Sequence, residues 1–134
     1  MSARRIRHRL GWSPARIPVI LPNYLLTFNK QSFDGGKANI QSSPGDEVEG
    51  ILYFVSDVDL LTLDKYEGVD EKQYRRQDFE VQDLDRHSIF ATAYVAIETG
   101  KESRPTREYL NFLLEGEHLL SPNYILKLEE IATL

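Results

Sequence analysis

The chain has 134 residues, no cysteine and a net charge of −5, a length that fits one domain able to bury a core without a covalent staple. The missing thiols exclude disulfides, thiolate zinc sites and cysteine nucleophiles and agree with a reducing cytoplasm, and no apolar run approaches the roughly 18 residues that span a membrane. Residues 1–33 hold five arginines and one lysine without a single acid, against ten bases and 21 acids in the remainder.

Such a start reads as the basic helix of a folded segment, as a nucleic-acid arm or as a targeting peptide. The strand-like VILPNYLLTF and the scarcity of serine, with only Ser2, Ser13 and Ser32 in the segment, favour the folded helix. Ser2 caps a predicted helix over ARRIRHRL, with Gly11 as its stop. Arg4, Arg5, Arg7 and Arg9 are too closely spaced to share one face of it. Pro14, Pro18 and Pro22 punctuate the next segment, so IPVIL reads as an edge strand or an irregular segment, and NYLLTF as a strand. FDGGKANIQSSPGDE is rich in turn formers and leaves room for a short strand at ANI.

VEGILYFV, residues 48–55, is a nearly continuous apolar run, as in a strand buried on both faces. Ser56 or Asp57 caps a helix through about Tyr66 with Leu60, Leu61 and Leu63 on its apolar side, and Gly68 is placed to end it in the left-handed conformation. YRRQDFEVQ and SIFATAYVAI pair around the turn DLDR. After the loop ETGKESRP, Thr106 begins a helix over REYLNFLLEGEHLL. Ser121 and Pro122 then open a last helix over SPNYILKLEEI. Strands in the middle and helices at the end predict an α+β fold, a small closed sheet with helices packed outside.

Common site signatures are missing. His8, His87 and His118 are far apart in sequence, and none has a partner at metal-ligand spacing. No serine sits in a nucleophile elbow, and DGGK is too short for a phosphate loop. LDKYEGV, residues 63–69, stands out instead. It puts Glu67 at a helix C-terminus, where the negative end of the helix disfavours a carboxylate by about 0.3–1 kcal/mol. Desolvation by Leu63 and Tyr66 acts in the same direction, and an acid moved toward neutrality can both take and give a proton. The plainer alternative is an exposed glutamate in an ordinary last turn. Tyr74 begins the next strand and Tyr109 sits in the first turn of a later helix. Each offers a hydroxyl on an apolar body to the same pocket, or else is an ordinary core or rim tyrosine.

With these residues in place the sequence resembles the γ-glutamylcyclotransferase superfamily, the AIG2-like fold. SPGDEVEGILYFV (43–55) is similar to that family's pre-strand turn and buried strand. DVDLLTLDKYEGV (57–69) resembles its L-D-x-x-E-G helix end, and Tyr74 falls at the family's spacing after it. AYVAI (93–97), RPTREY (104–109) and LEGEHLLSPNYILKLEEI (114–131) resemble the family's later segments. The resemblance implies one domain over residues 1–134, built as a small mixed β-barrel with flanking helices. It implies an intramolecular cyclisation, of lyase or acyltransferase type, in which the α-amine of a γ-glutamyl amine or dipeptide attacks the γ-carbonyl, releases the amine or amino acid and closes to 5-oxoproline. In that chemistry Glu67 is the acid–base residue and Tyr74 and Tyr109 line the pocket. It needs no metal and no organic cofactor. The expected partner is a small γ-glutamyl molecule of the kind met in glutathione metabolism, not nucleic acid or a membrane, and the expected compartment is the cytoplasm.

Two departures accompany the resemblance. The family opens with a strand ending in Y-G-S-N, a loop that cradles the α-carboxylate and amine of the substrate, and this chain lacks the motif. An N-terminally truncated domain is therefore expected, and the alternative function is a non-catalytic or inactive AIG2-like protein. Gly116–Glu117 and Ser121–Pro122 also stand where the family usually has Gly-Ala and Leu-Pro.

Overall fold

A long hairpin organises the fold. In the computed structural model, which describes residues 2–116 and 118–134, β1 (Arg16–Ser32) and β2 (Gly35–Tyr53) pair antiparallel from Arg16–Tyr53 to Ser32–Gly35. The segments expected as an edge strand or irregular stretch, a strand, and a turn-rich loop with room for a short strand are therefore one ladder. Register shifts between Pro22 and Tyr24 and between Thr27 and Lys30 make this compatible with the sequence. Asn23 adopts φ 64, a left-handed geometry that asparagine tolerates, and its side-chain oxygen accepts the N–H of Gly45 at 3.1 Å. The irregularity sits beside Pro22, which has no N–H for the ladder. At Gly36 an added Cβ would lie 2.2 Å from the Ser103 carbonyl oxygen. Only glycine lets β2 run this close to the loop that leads into the third helix.

The strand order is β2-β1-β3-β4, with β3 (Tyr74–Gln82) and β4 (Ser88–Ala96) forming the second hairpin. The α+β expectation holds. The mixed, closed barrel does not, because every pairing is antiparallel and the sheet is open. Its edges approach without forming a ladder: the Asn39 side chain, 7% exposed, accepts the Ala96 N–H at 3.1 Å and donates to Asn29 Oδ1 at 3.0 Å. An amide side chain thus occupies the place where strand pairing would close a barrel. Residues 48–53 lie on the edge strand β2, so they are half-buried rather than buried on both faces, and Phe54 beyond them is exposed.

The two hairpins join through one residue pair, Ile20 with Gln82. Side chains hold this seam together. Val19, Phe79 and Val81 are buried at its centre, and Tyr24 meets Phe79 edge-on with ring centroids 5.4 Å apart.

Among the described residues there are four helices, α1 (Ala3–Leu10), α2 (Asp57–Tyr66), α3 (Arg107–Leu114) and α4 (Pro122–Glu129). Each begins at a hydroxyl side chain that accepts a backbone N–H, Ser2 from Arg5, Ser56 from Asp59, Thr106 from Tyr109 and Ser121 from Tyr124. Such caps contribute about 1 kcal/mol each. Each helix anchors itself by one buried residue, Ile6, Leu63, Leu110 and Leu128 in turn. α3 stops at Leu114, short of the predicted run to Leu120, because the chain turns at Gly116, where a Cβ would meet Ile51 Cδ1 at 2.9 Å. Glu117 of the quoted segment lies outside the described residues. Among the described residues no helix is long and apolar enough to cross a membrane.

Candidate active site

The end of α2 is fixed by its own backbone. The N–H of Glu67 donates to Leu63 O at 2.9 Å, that of Gly68 to Lys65 O at 3.3 Å, and that of Val69 to Asp64 O at 3.0 Å. This is the Schellman pattern, with Gly68 at φ 65 in the left-handed position. Gln73 N–H then donates to Gly68 O at 3.0 Å and closes the turn that returns the chain to Tyr74. Glu67 and Tyr74 therefore flank one short turn.

Asp64 ties α2 to the sheet. Its carboxylate accepts from Arg76 of β3 at 2.8 and 2.6 Å and from the Tyr94 hydroxyl of β4 at 2.7 Å. The Arg76 bonds, seconded by Tyr94, hold the Asp64 carboxyl below its ordinary value. The same bonds raise the pKa of Arg76.

Glu67 has a partner that sequence reasoning missed. Arg9 of α1 places Nη1 3.2 Å from Glu67 Oε1, with the two side chains 12% and 19% exposed. The Arg9 guanidinium also lies 4.9 Å from the centroid of the Tyr66 ring. The electrostatic cost of an acid at a helix C-terminus is thus offset by a cation from another helix.

The two tyrosines converge on one residue of β2. The Tyr109 hydroxyl accepts the N–H of Ala38 at 3.0 Å, and the Tyr74 hydroxyl donates to the carbonyl of Ala38 at 3.5 Å. Burial is the main cause that raises both phenol pKa values, and the negative charge of Glu67 adds to it in both. Both rings therefore stay protonated. Because the Tyr109 oxygen accepts from Ala38, its own proton is left to donate. Cations frame the tyrosines: Lys37 Nζ sits 4.3 Å from the Tyr109 ring and Lys30 Nζ 5.9 Å from the Tyr74 ring.

All three residues singled out from the sequence thus share one site, and Arg9, Ala38 and the lysines join them. Arg5 and Arg9 are four apart in a predicted helix and so share a face, which was a legible signal. What that face packs against was not.

Other features lie apart from this cluster. A cavity of about 100 Å³ between β2, α3 and α4 is lined by Ile51, Leu113, Leu120 and Tyr124 among others and contains none of Glu67, Tyr74 and Tyr109. Its carboxylate, Glu49, is engaged by the Ser121 N–H at 2.7 Å and the Ser121 hydroxyl, so it serves the cap of α4. Asp83, Asp85 and His87 bring potential ligand atoms within 4.8 Å of one another, which the view of the histidines as unpartnered did not anticipate. Asp83 Oδ1 already accepts the N–H groups of Asp85 and His87, both at 2.9 Å, and so shapes the β3–β4 turn.

Known proteins share the sequence pattern and the fold. The model of the AIG2-like family matches residues 47–128, a span that contains Glu67, Tyr74 and Tyr109 but not α1. A solved structure of a gamma-glutamyl cyclotransferase is similar with a TM-score of 0.90 and 26% identity, over 99% of this chain and 83% of its own. An uncharacterized protein from Homo sapiens gives a TM-score of 0.88 and 27% identity, over 97% of this chain and 81% of its own. YkqA from Bacillus subtilis shares the fold at a TM-score of 0.81 and 24% identity, over 98% of this chain and 49% of its own. No curated protein matches the sequence.

Proposed function

The chain belongs to the AIG2-like family, and from that premise we propose that it is a γ-glutamylcyclotransferase-type enzyme acting on a small γ-glutamyl amine or dipeptide in the cytoplasm. The observation that carries this reading is the grouping of Glu67 with two tyrosine hydroxyls that meet on Ala38. Glu67 takes a proton from the α-ammonium of the substrate. The freed amine attacks the γ-carbonyl carbon and forms the ring C–N bond. Negative charge moves to the carbonyl oxygen, where the free proton of Tyr109 is available to it. Glu67 then gives its proton to the leaving nitrogen, the old C–N bond breaks, the ring nitrogen passes its second proton through Glu67 to the departing amine, and 5-oxoproline and an amine or amino acid, now as its ammonium form, depart. Protons and charge balance without a metal or a redox partner. Because nucleophile and electrophile share one molecule, holding the glutamyl chain folded supplies much of the rate.

The test is release of 5-oxoproline from a panel of γ-glutamyl dipeptides and γ-glutamyl amines. Release that saturates with one class of leaving group is the expected result. A second reading, a non-catalytic AIG2-like protein, is favoured by one observation: the Glu67 carboxylate is already engaged by Arg9. No 5-oxoproline from any member of the panel would decide for it.

A further inference from the structure

Arg5 and Arg9 lie one turn apart on α1. Like charges at this spacing on a helix repel, and Arg9 acts on Arg5 in that sense here. Arg9 is matched by Glu67 and Arg4 by Glu115. Arg5 has no ion-pair partner among the described residues. Its guanidinium stands 4.6 Å from the centroid of the Phe112 ring, three residues along α3 from Tyr109. Arg5 is thus held between the Arg9–Glu67 pair and the helix that carries Tyr109. Burial and the neighbouring Arg9 lower its pKa, and the charge of Glu67 opposes them. Lys30, beside Tyr74, bonds the neutral side chain of Gln73 at 2.9 Å. Lys37, by contrast, is matched by Asp34 at 3.2 Å. Around Glu67 and the two tyrosines, cations therefore exceed carboxylates, and a planar guanidinium is the group best shaped to bind a carboxylate through two parallel hydrogen bonds.

We propose that Arg5 is a specificity-determining residue that binds a carboxylate of the substrate beside Glu67 and Tyr109. This rests on the function proposed above. The carboxylate is either the α-carboxylate of the glutamyl half or that of the departing amino acid. Arg5 lies outside residues 47–128, which the family model matches.

Three substrates separate the two sources: γ-glutamylalanine carries both carboxylates, γ-glutamylethylamide only the first, and the α-carboxamide of γ-glutamylalanine only the second. Arg5→Met keeps the aliphatic stem over Phe112 and removes the charge. It is expected to raise KM for γ-glutamylalanine about 10- to 100-fold with little change in kcat. Arg5→Lys should recover part of this, and Arg7→Met, an exposed position on the same helix, should change nothing. If the α-carboxylate is the ligand, the carboxamide substrate is insensitive to Arg5→Met. If the leaving carboxylate is the ligand, the ethylamide is insensitive. Equal losses on all three substrates would overturn the proposal and leave Arg5 a packing residue. A titration with glutarate, a small dicarboxylate, reads the same site without turnover. Binding weakened by the same factor in Arg5→Met supports the proposal even if the wild type releases no 5-oxoproline, in which case only the proposed reaction fails. Equal binding by both proteins, or binding by neither, overturns it.

Discussion

An acid at the negative end of a helix needs an answering charge, and in this chain it comes from a different helix. Glu67 has its partner, Arg9, 58 positions away in sequence. The conservative change Glu67→Gln keeps the shape and removes the proton transfer, so turnover to 5-oxoproline should fall about 10²–10⁴-fold. Steady-state assays of the two proteins check this, and equal rates would remove Glu67 from the reaction. The candidate site side chains, Glu67, Tyr74 and Tyr109, were legible in the sequence. Each sits at a position readable from local pattern: a helix end before glycine, a strand start, a first helical turn. Arg9 was visible as sharing a helix face with Arg5, but its partner was not, because that depends on how α1 packs on α2. Ala38 had no signal at all, since it contributes only its backbone.

The elements depend on a few polar fastenings. Asp64 joins α2 to both strands of the second hairpin through Arg76 and Tyr94. Its folded pKa lies below the ordinary 3.8. Between the folded and unfolded values the unfolded chain binds more protons, so stability rises with pH there. The contribution of Asp64 is complete above about pH 4 and fades as pH falls through the lower, folded value. Asp64→Asn should cost about 1–2 kcal/mol at neutral pH, Arg76 being partly exposed and screened. Urea titrations from neutral pH into the acid range should show the gap between wild type and variant narrowing below about pH 4. A gap that does not vary with pH would mean that these bonds add nothing to stability. The helix starts were readable because a hydroxyl cap is a local device. The long ladder of β2 was not, because its turn-forming residues are absorbed by irregularities whose partners, such as Asn23 against Gly45, come from the other strand.

The sheet is two hairpins joined by one ladder pair, by side-chain bonds from Asn39 and Tyr74, and by a small apolar centre. Phe79, 7% exposed, spans that seam. Phe79→Ala should destabilise the domain by about 3–5 kcal/mol and do so in a single transition seen alike by far-ultraviolet circular dichroism and by the fluorescence of Trp12. Two separate transitions would mean that the hairpins fold independently. The α+β class was readable from the order of strand-like and helix-like segments. Closure was not, because whether two edges meet through a ladder or through the side chain of Asn39 is decided only in three dimensions.

Ala38 belongs to β2, which lies at the edge of the sheet, and both of its backbone polar groups are taken by tyrosine hydroxyls. An edge strand with free N–H and C=O groups is a template on which another chain can add a strand and begin to aggregate. The two hydroxyls therefore bear on solubility. Tyr74 and Tyr109 blunt the sheet at a point where copies of the protein would otherwise adhere to one another.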